Sequence, residues 1–487
     1  MTLLELQTST ATESPWPIDR LTRLENFGHS LAGPAYLYRP SQPDQILELF
    51  EQARMSGFKI ALRGASRSYG DAALNSGGVM LDCTRMNRIL DWDPATGIIE
   101  VEPGVTIQQL WQYILEDGWW PPVVPGTMAP TLGGCLAMNV HGKNNYQAGT
   151  IGEHVLAFTA LLPNGDLVTC SQQENEELFH ALIGGLGVLG IFTSIRLQMK
   201  RVFAGDLWVG AWAVPDLQQM LNDIDLSKDT NDYIVGWVDT TAHGGRLGRG
   251  QLHSGDYLSP EEEPYPARSL NVAYQTLPDT IMGLLPKSMT WKFMRPFMNN
   301  LGLWGVNTAK YFSSRTLGHN KHTRQSFAAF NFLLDYVPNW ELAYGAGGLI
   351  QYQSFIPAER AHAVFLDMLR LSQEKNLPSF LGVVKRHRPD PFLLTHAVDG
   401  FSLALDFRLT HRNRVAVSDL TQVFNELVIS AGGRFYFAKD STLTPAYVER
   451  FLGAETISAF LALKRRVDPH DLLQSDLYRR CFAPLSA

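Results

Sequence analysis

Three glycine-rich stretches in the N-terminal part of the chain carry residue types suited to a phosphorylated, planar ligand. In the first, RGASRSYGD (63–71), consecutive backbone N–H groups can converge on an anion, and Arg63 or Arg67 can add charge. The second, VVPGTMAPTLGGCLAMNVHGKNN (123–145), has a glycine pair and small neighbours that let a ligand approach the backbone closely. In the third, GGLGVLGIFTSIRL (184–197), a bend precedes a β-branched strand that could cover a ring system. A polar turn explains the first stretch equally well, and a core strand explains the third.

Three lysines are candidates for acid–base or phosphate chemistry. Lys439 ends RFYFAK, where alternation would bury Phe435 and Phe437 and leave the ammonium emerging from an aromatic wall. A lysine whose pKa is lowered by burial or by nearby cations can take a hydroxyl proton and relieve negative charge. Lys143 and Lys385 are candidates for a substrate phosphate, which an ammonium binds as a point charge. For Lys439 the alternative is a solvated surface lysine.

Amide and indole side chains farther along the chain are candidates for binding a sugar. Gln351 and Gln353 fall on one face of LIQYQSF, with Phe355 after them, because side chains alternate along a strand. Two amides on one face can bind sugar hydroxyls, or they can simply face water. Trp237 in IVGWVD is either a sugar platform or part of the core.

Composition limits the classes of protein that need to be considered. At 487 residues the chain exceeds one ordinary core, so two or three domains are expected. The net charge of −7 argues against a nucleic-acid-binding protein, which needs a basic face to displace counterions from phosphate. The four cysteines form no CxxC pair or Cys/His cluster with metal-ligand spacing. We therefore expect no metal site and no disulfide framework, and a reducing compartment fits best.

The sequence contains no apolar run of the ~20 residues needed to span a bilayer, and the N-terminus lacks a signal-peptide pattern. Residues 280–318 are nevertheless crowded with Met, Trp, Phe and Leu and are punctuated by Lys287, Lys292 and Arg295. An apolar face with cations is typical of an interfacial segment, and a core helix is the alternative. We expect a cytoplasmic protein, with peripheral contact at the inner face of the membrane if 280–318 is interfacial.

Hydrophobic periodicity divides the chain into four parts that must position these residues. Residues 1–18 are rich in Thr, Ser and Pro and predict a flexible N-terminus. Residues 19–203 mix strands and helices without a regular βαβ rhythm and lack a GxGxxG motif after the first strand. Residues 204–433 predict an antiparallel sheet with one buried face and helices between its strands. Residues 434–487 are too few to fold alone, so we expect them to pack back on the first part.

The order, spacing and spelling of the three stretches resemble the vanillyl-alcohol-oxidase type of flavoprotein, also called the p-cresol methylhydroxylase (PCMH) type. That family has an R-G-x-x-x-S loop for the FAD pyrophosphate, a P-G-T…G-G-x-x-x-x-x-x-H-G segment lining the flavin, and a G-x-x-G-I/V strand near the adenine and ribose. All three motifs are present here. The resemblance implies an α+β fold in which 19–203 and 434–487 form a two-part PCMH-type FAD-binding domain. The substrate-binding domain, 204–433, is then inserted between these two segments.

A narrower resemblance covers nearly the whole chain. The motifs RSYGD, VPGT, HGKN, LIQYQ, YFAKDS and VDP…SDLYRR resemble the flavoprotein oxidase subunits of the decaprenylphosphoryl-ribose 2-epimerases. This implies oxidation of the 2-hydroxyl of a polyprenyl-phosphate-linked ribose to a keto sugar, with hydride transfer to flavin N5. A separate NAD(P)H-dependent keto-reductase would complete the epimerisation, as a step in cell envelope biosynthesis. The alternatives are an aldonolactone or alditol oxidase acting on a free polyol, and a chain in which flavin is only structural.

The resemblance also implies roles for individual residues. The implied catalytic residues are Lys439, Tyr69 and His141. The implied FAD-binding residues are Arg63, Gly64, Ala65, Ser66, Arg67, Ser68, Tyr69, Pro125, Gly126, Thr127, Thr131, Gly133, Gly134, Ala137, Asn139, His141, Gly142, Gly190 and Ile191. The implied substrate-binding residues are Lys143, Trp237, Asn331, Gln351, Gln353, Lys385, Ser402 and Lys439. Because Arg67 stands where some family members attach flavin through a histidine, the implied FAD is non-covalent.

The chain has different residues from the narrower family at several positions that the resemblance places around the substrate, called here the substrate wall. Ser402 and Ala404 stand where that family has Asn and Cys, Asn331 replaces a tyrosine, and His387 replaces a phenylalanine. The resemblance therefore implies that the oxidation machinery is retained while the substrate wall differs. A different polyprenyl chain, another phosphosugar or another polyol stays open as the substrate.

Overall fold

The computed structural model describes residues 15–281 and 285–486. The predicted flexible N-terminus, 1–18, lies mostly outside the described residues, as does a short part of 280–318.

The N-terminal part combines short strands with five helices among the described residues. Its strands are β1 Leu21–Glu25, β2 Ala32–Tyr38, β3 Ile60–Arg63, β4 Val79–Asp82, β5 Ile89–Asp93, β6 Ile98–Val101, β7 Trp119–Trp120, β8 Val155–Leu161, β9 Leu167–Ser171, β10 Ile191–Gln198 and β11 Lys200–Arg201. Its helices are α1 Pro43–Ser56, α2 Ile107–Ile114, α3 Leu132–Ala137, α4 Asn145–Ala148 and α5 Glu176–Leu182.

Longer strands and helices follow in the rest of the chain. The strands are β12 Asp206–Val214, β13 Tyr233–Val238, β14 Gly250–Tyr257, β15 Thr280–Ile281, β16 Leu285–Pro286, β17 Lys321–Ser326, β18 Leu349–Pro357, β19 Gly382–His387, β20 Gly400–Arg408 and β21 Arg434–Phe435. The helices are α6 Leu217–Ser227, α7 Pro266–Leu270, α8 Thr290–Met294, α9 Asn300–Thr316, α10 Phe327–Asn331, α11 Ala358–Glu374, α12 Arg414–Ser430, α13 Pro445–Leu452, α14 Ala454–Val467 and α15 Asp476–Cys481.

Three sheets dominate the architecture. A mixed four-stranded sheet has the order β1-β2-β4-β3, and a five-stranded antiparallel sheet has the order β5-β6-β10-β8-β9. An eight-stranded sheet, β17-β12-β14-β13-β19-β20-β18-β21, is antiparallel throughout. A mixed helix and sheet fold containing antiparallel sheets is thus confirmed. The two-part arrangement and its boundaries stay a prediction, and β21, beyond the predicted boundary at 433, belongs to the eight-stranded sheet.

The register of the eight-stranded sheet places chemically active side chains on one face. Trp237 pairs with Val383, Val383 with Ala404, and Ala404 with Gln353, so these four residues form one row across four strands. Two residues along the strands, Lys385 pairs with Ser402. Because side chains alternate along a strand, these rows project from the same face.

The C-terminal segment closes onto the N-terminal part. Ile60 of β3 donates its N–H to the Leu472 carbonyl at 2.9 Å and accepts from the Gln474 N–H at 2.8 Å. The chain at Leu473 therefore runs beside the edge of the four-stranded sheet.

Arg480 joins the first glycine-rich stretch to the C-terminal segment. Its guanidinium donates two hydrogen bonds to the Asp71 carboxylate, at 2.8 and 2.7 Å, and a third to Asp440 at 2.9 Å. Both carboxylates are almost fully buried. A Cβ on Gly70 would lie 1.6 Å from the Asp440 carbonyl oxygen, so only glycine permits this contact. These contacts hold Tyr69 and Lys439, the neighbours of Gly70 and Asp440, close together.

We predict that Arg480→Leu lowers the free energy of unfolding by about 3 kcal/mol, because it leaves two buried carboxylates unpaired. Urea unfolding monitored by circular dichroism measures this. The matched control is Arg450→Leu, whose bidentate pair with Glu426 is solvent-exposed and should contribute little. Equal losses from both variants would show that the Arg480 cluster has no special structural role.

Candidate active site

A cavity of about 860 Å³ lies between the N-terminal part and one face of the eight-stranded sheet. This is the face that carries Trp237, Gln353 and Lys385. All three glycine-rich stretches line it, together with residues of β13, β18, β19 and β20. Every predicted site residue lines this cavity except Asn139 and Gly142. One cavity therefore brings together residues that are separated by hundreds of positions in the sequence.

The first stretch forms a loop with free backbone donors after β3. The N–H groups of residues 65–68 donate to no protein acceptor among the described residues. Ser66 adopts a left-handed conformation, with φ of 58°. A left-handed residue in such a loop turns successive N–H groups towards a common point, which is a geometry that binds phosphate oxygens.

The two arginines of this loop have different roles. Arg63 donates to the Ala73 carbonyl at 2.8 Å and to the Glu25 carbonyl at 3.0 Å, so its guanidinium braces the loop. Arg67 is exposed, and its guanidinium lies 5.2 Å from the Phe27 ring centroid. Of the two, Arg67 is the charge available to an anion at the cavity.

The second stretch supplies close-packed backbone. A Cβ on Gly64 would lie 2.1 Å from the Thr131 hydroxyl, so the first two stretches touch each other. A Cβ on Gly134 would meet only that hydroxyl, at 3.2 Å, and would otherwise extend into the cavity. The Thr127 hydroxyl donates to Asp335 at 2.6 Å, which fixes the Pro-Gly-Thr turn.

Asn139 and Gly142 support the wall from behind. The Asn139 amide donates to Asp390 at 3.2 Å, and its oxygen accepts from the Gly152 N–H at 3.1 Å. A Cβ on Gly142 would lie 2.5 Å from the Asn144 side-chain oxygen. The structure thus gives both residues packing roles next to the cavity, whereas the resemblance implied contact with FAD.

His141 is a buried, neutral imidazole in an aromatic cluster. Its ring centroid lies 4.9 Å from that of His387, 5.3 Å from Tyr436 and 5.5 Å from Phe355. Burial lowers the pKa of His141 well below its usual value, and the nearby Lys385 lowers it further. Gln353 Nε2 lies 3.2 Å from His141 Nε2, while His141 Nδ1 is buried without a hydrogen-bond partner among the described residues.

Lys439 lies on a turn that follows β21. The predicted burial of Phe435 and Phe437 is confirmed, but the strand alternation expected along RFYFAK is wrong, because the strand ends at Phe435 and Tyr436 is also buried. The Lys439 ammonium nevertheless faces the cavity, with Nζ 3.6 Å from the Tyr69 ring centroid. Burial lowers the pKa of Lys439, and the Asp406 carboxylate partly opposes that shift.

Asp406 is the buried carboxylate that balances Lys439. Gln351 Nε2 donates to Asp406 Oδ1 at 2.6 Å, and the Tyr344 hydroxyl donates to Oδ2 at 3.4 Å. Burial raises the pKa of Asp406, while the Gln351 hydrogen bond and the Lys439 charge lower it. One N–H of the Gln351 amide is therefore committed to Asp406, while Gln351 also lines the cavity.

Three further lysines converge on the cavity. Burial lowers the pKa of Lys143 to about 7 and that of Lys385 to about 8. Lys310 of α9, with a pKa lowered by burial to about 8, lies with Nζ 4.0 Å from the Trp237 ring centroid. Within the described residues, none of these lysines has a carboxylate within 4 Å. Such a set of unpaired cations is suited to phosphate.

Sequence reasoning missed Lys310 and His253. Burial lowers the pKa of His253 to about 4, and the charges of Lys310 and Lys143 lower it further, so the three side chains are neighbours. Helical periodicity could have indicated Lys310, because it follows Leu303 by seven residues and so lies on the same side of α9 as the buried Leu303 and Asn307. His253 had no such signal, because its pairing across β14 depends on the fold.

Asn331 and Ser402 complete the predicted substrate wall. Asn331 ends α10, and its buried Nδ2 has no hydrogen-bond partner among the described residues. Ser402 lies 2.8 Å from His387 Nε2. Orphaned donors in a cavity are the groups that a polar ligand would satisfy.

The residues present fit FAD. The free N–H groups of 65–68 and Arg67 suit a pyrophosphate, and the open face at Gly134 admits a flat ring close to the backbone. His141 and Lys439 line the same cavity and would supply polar groups next to a bound flavin. No group of three or more His, Cys, Asp or Glu side chains that could hold a metal ion occurs among residues 15–281 and 285–486.

A second surface feature lies outside the cavity, between residues 289 and 317. Its exposed apolar side chains, called here the 289–317 face, are Met289, Phe293, Phe297, Leu301, Trp304, Val306, Phe312 and Leu317. No helix in the described ranges is long and apolar enough to cross a membrane.

Comparisons with known proteins agree with this geometry. Residues 34–171 match the model of the FAD binding domain family. Decaprenylphosphoryl-beta-D-ribose oxidase of Mycolicibacterium smegmatis is 28% identical over 467 residues, which cover 94% of this chain and 97% of that protein. Cytokinin dehydrogenase 6 of Oryza sativa subsp. japonica is 30% identical over 232 residues, 44% of this chain and 43% of the relative. L-gulonolactone oxidase of Bos taurus is 27% identical over 170 residues, 35% and 38% respectively.

The fold, the cavity and the matched domain define an FAD-dependent oxidoreductase. Within that class, the chain is similar over nearly its whole length to the mycobacterial decaprenylphosphoryl-ribose oxidase, and to the cytokinin dehydrogenase and the L-gulonolactone oxidase over less than half.

We predict that Gly134→Val lowers the FAD content of the purified protein about tenfold or more, because the side chain would occupy space beside the ring. Flavin absorbance per chain after desalting measures occupancy, and circular dichroism checks folding. The control is Gly245→Val, at an exposed position where a Cβ meets nothing within 4 Å. Full occupancy in a folded Gly134→Val protein would place the flavin elsewhere.

Proposed function

We propose that this protein oxidises a secondary hydroxyl of a phosphorylated sugar, and that the 2-hydroxyl of a polyprenyl-phosphate-linked ribose is the preferred substrate. The observation that carries the proposal is the set of cavity lysines without carboxylate partners, Lys143, Lys310 and Lys385. A free polyol offers such cations no counter-charge, whereas a phosphate does. The name of the mycobacterial relative supports the choice of a lipid-linked phosphoribose.

The chemistry divides between cofactor and protein. When bound, FAD supplies the hydride acceptor at flavin N5. Lys439, whose pKa is lowered by burial, takes the proton of the substrate hydroxyl at Nζ and afterwards, as an ammonium, stabilises negative charge in the cavity. Tyr69 forms the wall beneath that nitrogen, and neutral His141 lines the cavity.

The phosphate end of the substrate is held by the lysines farther along the cavity. Lys143 is fixed by a hydrogen bond to the Phe330 carbonyl and by the Phe330 ring, whose centroid lies 4.3 Å from Nζ. Trp237, with Lys310 above it, provides a platform for the sugar. The keto product would then pass to a separate NAD(P)H-dependent keto-reductase, which completes the epimerisation.

The proposal is tested by anaerobic titration of the FAD-loaded protein with a substrate panel. The panel contains a short-chain polyprenyl-phosphoryl ribose, ribose 5-phosphate, free ribose and an alditol. Much faster loss of flavin absorbance with the lipid-phosphate sugar than with the free sugars supports the proposal. Loss with the alditol alone would instead identify a polyol oxidase, and no reduction by any alcohol would contradict the proposed reaction.

We predict that Lys439→Met slows anaerobic flavin reduction about 100-fold or more, because the base that accepts the hydroxyl proton is removed. In the wild-type protein the rate should rise with pH through the lowered pKa of Lys439, since only the neutral amine accepts a proton. Asp406→Asn should move that rise to lower pH, because the carboxylate normally holds the pKa up. Stopped-flow reduction across pH measures both effects, and an unchanged rate in Lys439→Met would eliminate the proposed role.

We propose that FAD is bound non-covalently, since Arg67 occupies the position from which some flavoproteins of this type attach flavin. Acid precipitation should release all of the yellow colour into the supernatant. Flavin that stays with the precipitated chain after washing would contradict this.

We propose that the 289–317 face contacts a membrane surface peripherally. Four of its side chains, Leu301, Trp304, Val306 and Phe312, lie on α9, the helix that also carries the cavity residue Lys310. Lys292 and Arg295 lie among its apolar side chains and could meet anionic headgroups.

We predict that the double variant Leu301→Ser/Trp304→Ser binds phosphatidylcholine vesicles containing phosphatidylglycerol about tenfold more weakly, because two exposed apolar groups no longer insert. Co-sedimentation measures the binding. The control is Leu226→Ser/Val415→Ser, two apolar residues of similar exposure outside this face. Equal binding by the wild-type protein and both variants would show that the 289–317 face does not bind the membrane surface.

A further inference from the structure

A chain of hydrogen bonds behind the cavity wall begins at a group whose polarity is fixed. The Arg388 backbone N–H, which can only donate, donates to Asn145 Oδ1 at 3.3 Å. His387 Nδ1 lies 3.0 Å from the same oxygen. Because that oxygen is an acceptor, His387 Nδ1 must carry its proton and donate.

His387 is neutral, so its second nitrogen has no proton. The side chain is fully buried, and burial lowers its pKa well below the usual value, helped by the charge of Lys385. With Nδ1 protonated, Nε2 can only accept. Ser402 Oγ, at 2.8 Å, must therefore donate its hydroxyl proton to His387.

The hydroxyl of Ser402 then determines which end of the Gln353 amide, the NH₂ group or the carbonyl oxygen, faces it. Having donated to His387, Ser402 can only accept, and Gln353 Nε2 lies 3.4 Å away. The same Nε2 lies 3.2 Å from His141 Nε2, so one NH₂ group donates to both acceptors. The carbonyl oxygen of Gln353 then faces away from both groups, and it has no partner among the described residues, although Gln353 lines the cavity.

We propose that His387 and Ser402 are positioning residues that present the Gln353 carbonyl oxygen to the cavity, as an acceptor reserved for a substrate hydroxyl. The same bonds hold His141 as its Nδ1–H tautomer. The substrate part of this inference rests on the proposed function. A site built to accept a hydrogen bond rejects an analogue that lacks the hydroxyl, because a buried acceptor is left unpaired.

Residues 387 and 402 both differ from the family that the chain resembles, and the proposed hydrogen bonds give the two differences a common function. His387 and Ser402 both stand at positions where that family has other residues, and here they are hydrogen-bonded to each other. A phenylalanine at 387 has no nitrogen that could accept from Ser402, so it could not transmit the hydrogen-bond direction set by the Arg388 N–H. The pair therefore acts as a unit that determines specificity.

The tautomers can be tested without any substrate. We expect long-range ¹H–¹⁵N spectra of the FAD-loaded, ¹⁵N-histidine-labelled protein to show Nδ1–H tautomers for His387 and His141. Spectra of His387→Gln and His141→Gln assign the two signals. An Nε2–H tautomer or an imidazolium at His387 near neutral pH would overturn the inference, whatever the substrate proves to be.

Specificity is tested with monodeoxy analogues of polyprenyl-phosphoryl ribose, using His387→Phe, His387→Gln and the control His396→Phe. His396 packs in the same aromatic cluster, with its ring 5.4 Å from His141, but forms no hydrogen bond to this chain of residues in the part that the structure describes. Wild-type and His396→Phe proteins should favour the hydroxylated substrate over one deoxy analogue by about tenfold or more in kcat/KM. His387→Phe should lose that preference at unchanged FAD content, and His387→Gln, which keeps an acceptor for Ser402, should restore it.

Preserved discrimination in His387→Phe would overturn the positioning role. The result is separate from the fate of the proposed function. If no sugar reduces the wild-type flavin, the proposed reaction fails, and the tautomers still decide whether the hydrogen bonds run in the proposed direction.

Discussion

The rest of the site depends on one electrostatic constraint, the gathering of four lysines, three of them buried or half-buried, around a cavity that supplies few counter-charges. Burying an ammonium without a partner is costly, so the fold has to compensate in other ways. Aromatic rings lie under three of the four lysines, with centroids 3.6 Å from Lys439, 4.3 Å from Lys143 and 4.0 Å from Lys310. The negative charge of Asp406 offsets the positive charge of Lys439 but of none of the other three lysines. An anionic ligand is a further source of compensation, and the proposed substrate phosphate would meet that need.

Holding such a cavity requires that its walls cannot relax. The eight-stranded sheet supplies one wall, because its register sets Trp237, Ala404 and Gln353 in one row. The other wall is a set of loops, which are rigid only where side chains lock them. Arg480 provides that lock where the first glycine-rich loop meets the turn that carries Lys439. A mostly buried ion cluster outside the cavity thus fixes the turn that carries Lys439.

Much of this arrangement could be predicted from residue types and periodicity. The alternation in LIQYQSF correctly placed Gln351 and Gln353 on one face, and glycine spacing located the loops that line the cavity. Periodicity failed at Lys439, where buried aromatic residues suggested a strand although the chain turns after Phe435. It also could not show that Gln351 is occupied by Asp406, since that pairing depends on strand register.

Other features depend on contacts that no local pattern encodes. His253 joins the basic cluster only because β14 lies beside β13 in the sheet. The polarity of Gln353 is set by a backbone N–H at Arg388, through three intervening side chains. Sequence reasoning can therefore identify the members of this site, but not the direction in which its hydrogen bonds run.

The most direct test of the central claim is the ratio of kcat/KM for a polyprenyl-phosphoryl ribose to that for free ribose. The ratio is measured in the wild-type protein and in Lys143→Ala, Lys310→Ala and Lys385→Ala, each loaded with FAD. If the unpaired lysines recognise phosphate, each substitution lowers kcat/KM for the phosphorylated substrate about tenfold or more while that for free ribose changes little. Equal losses for both substrates, or none, would contradict the account.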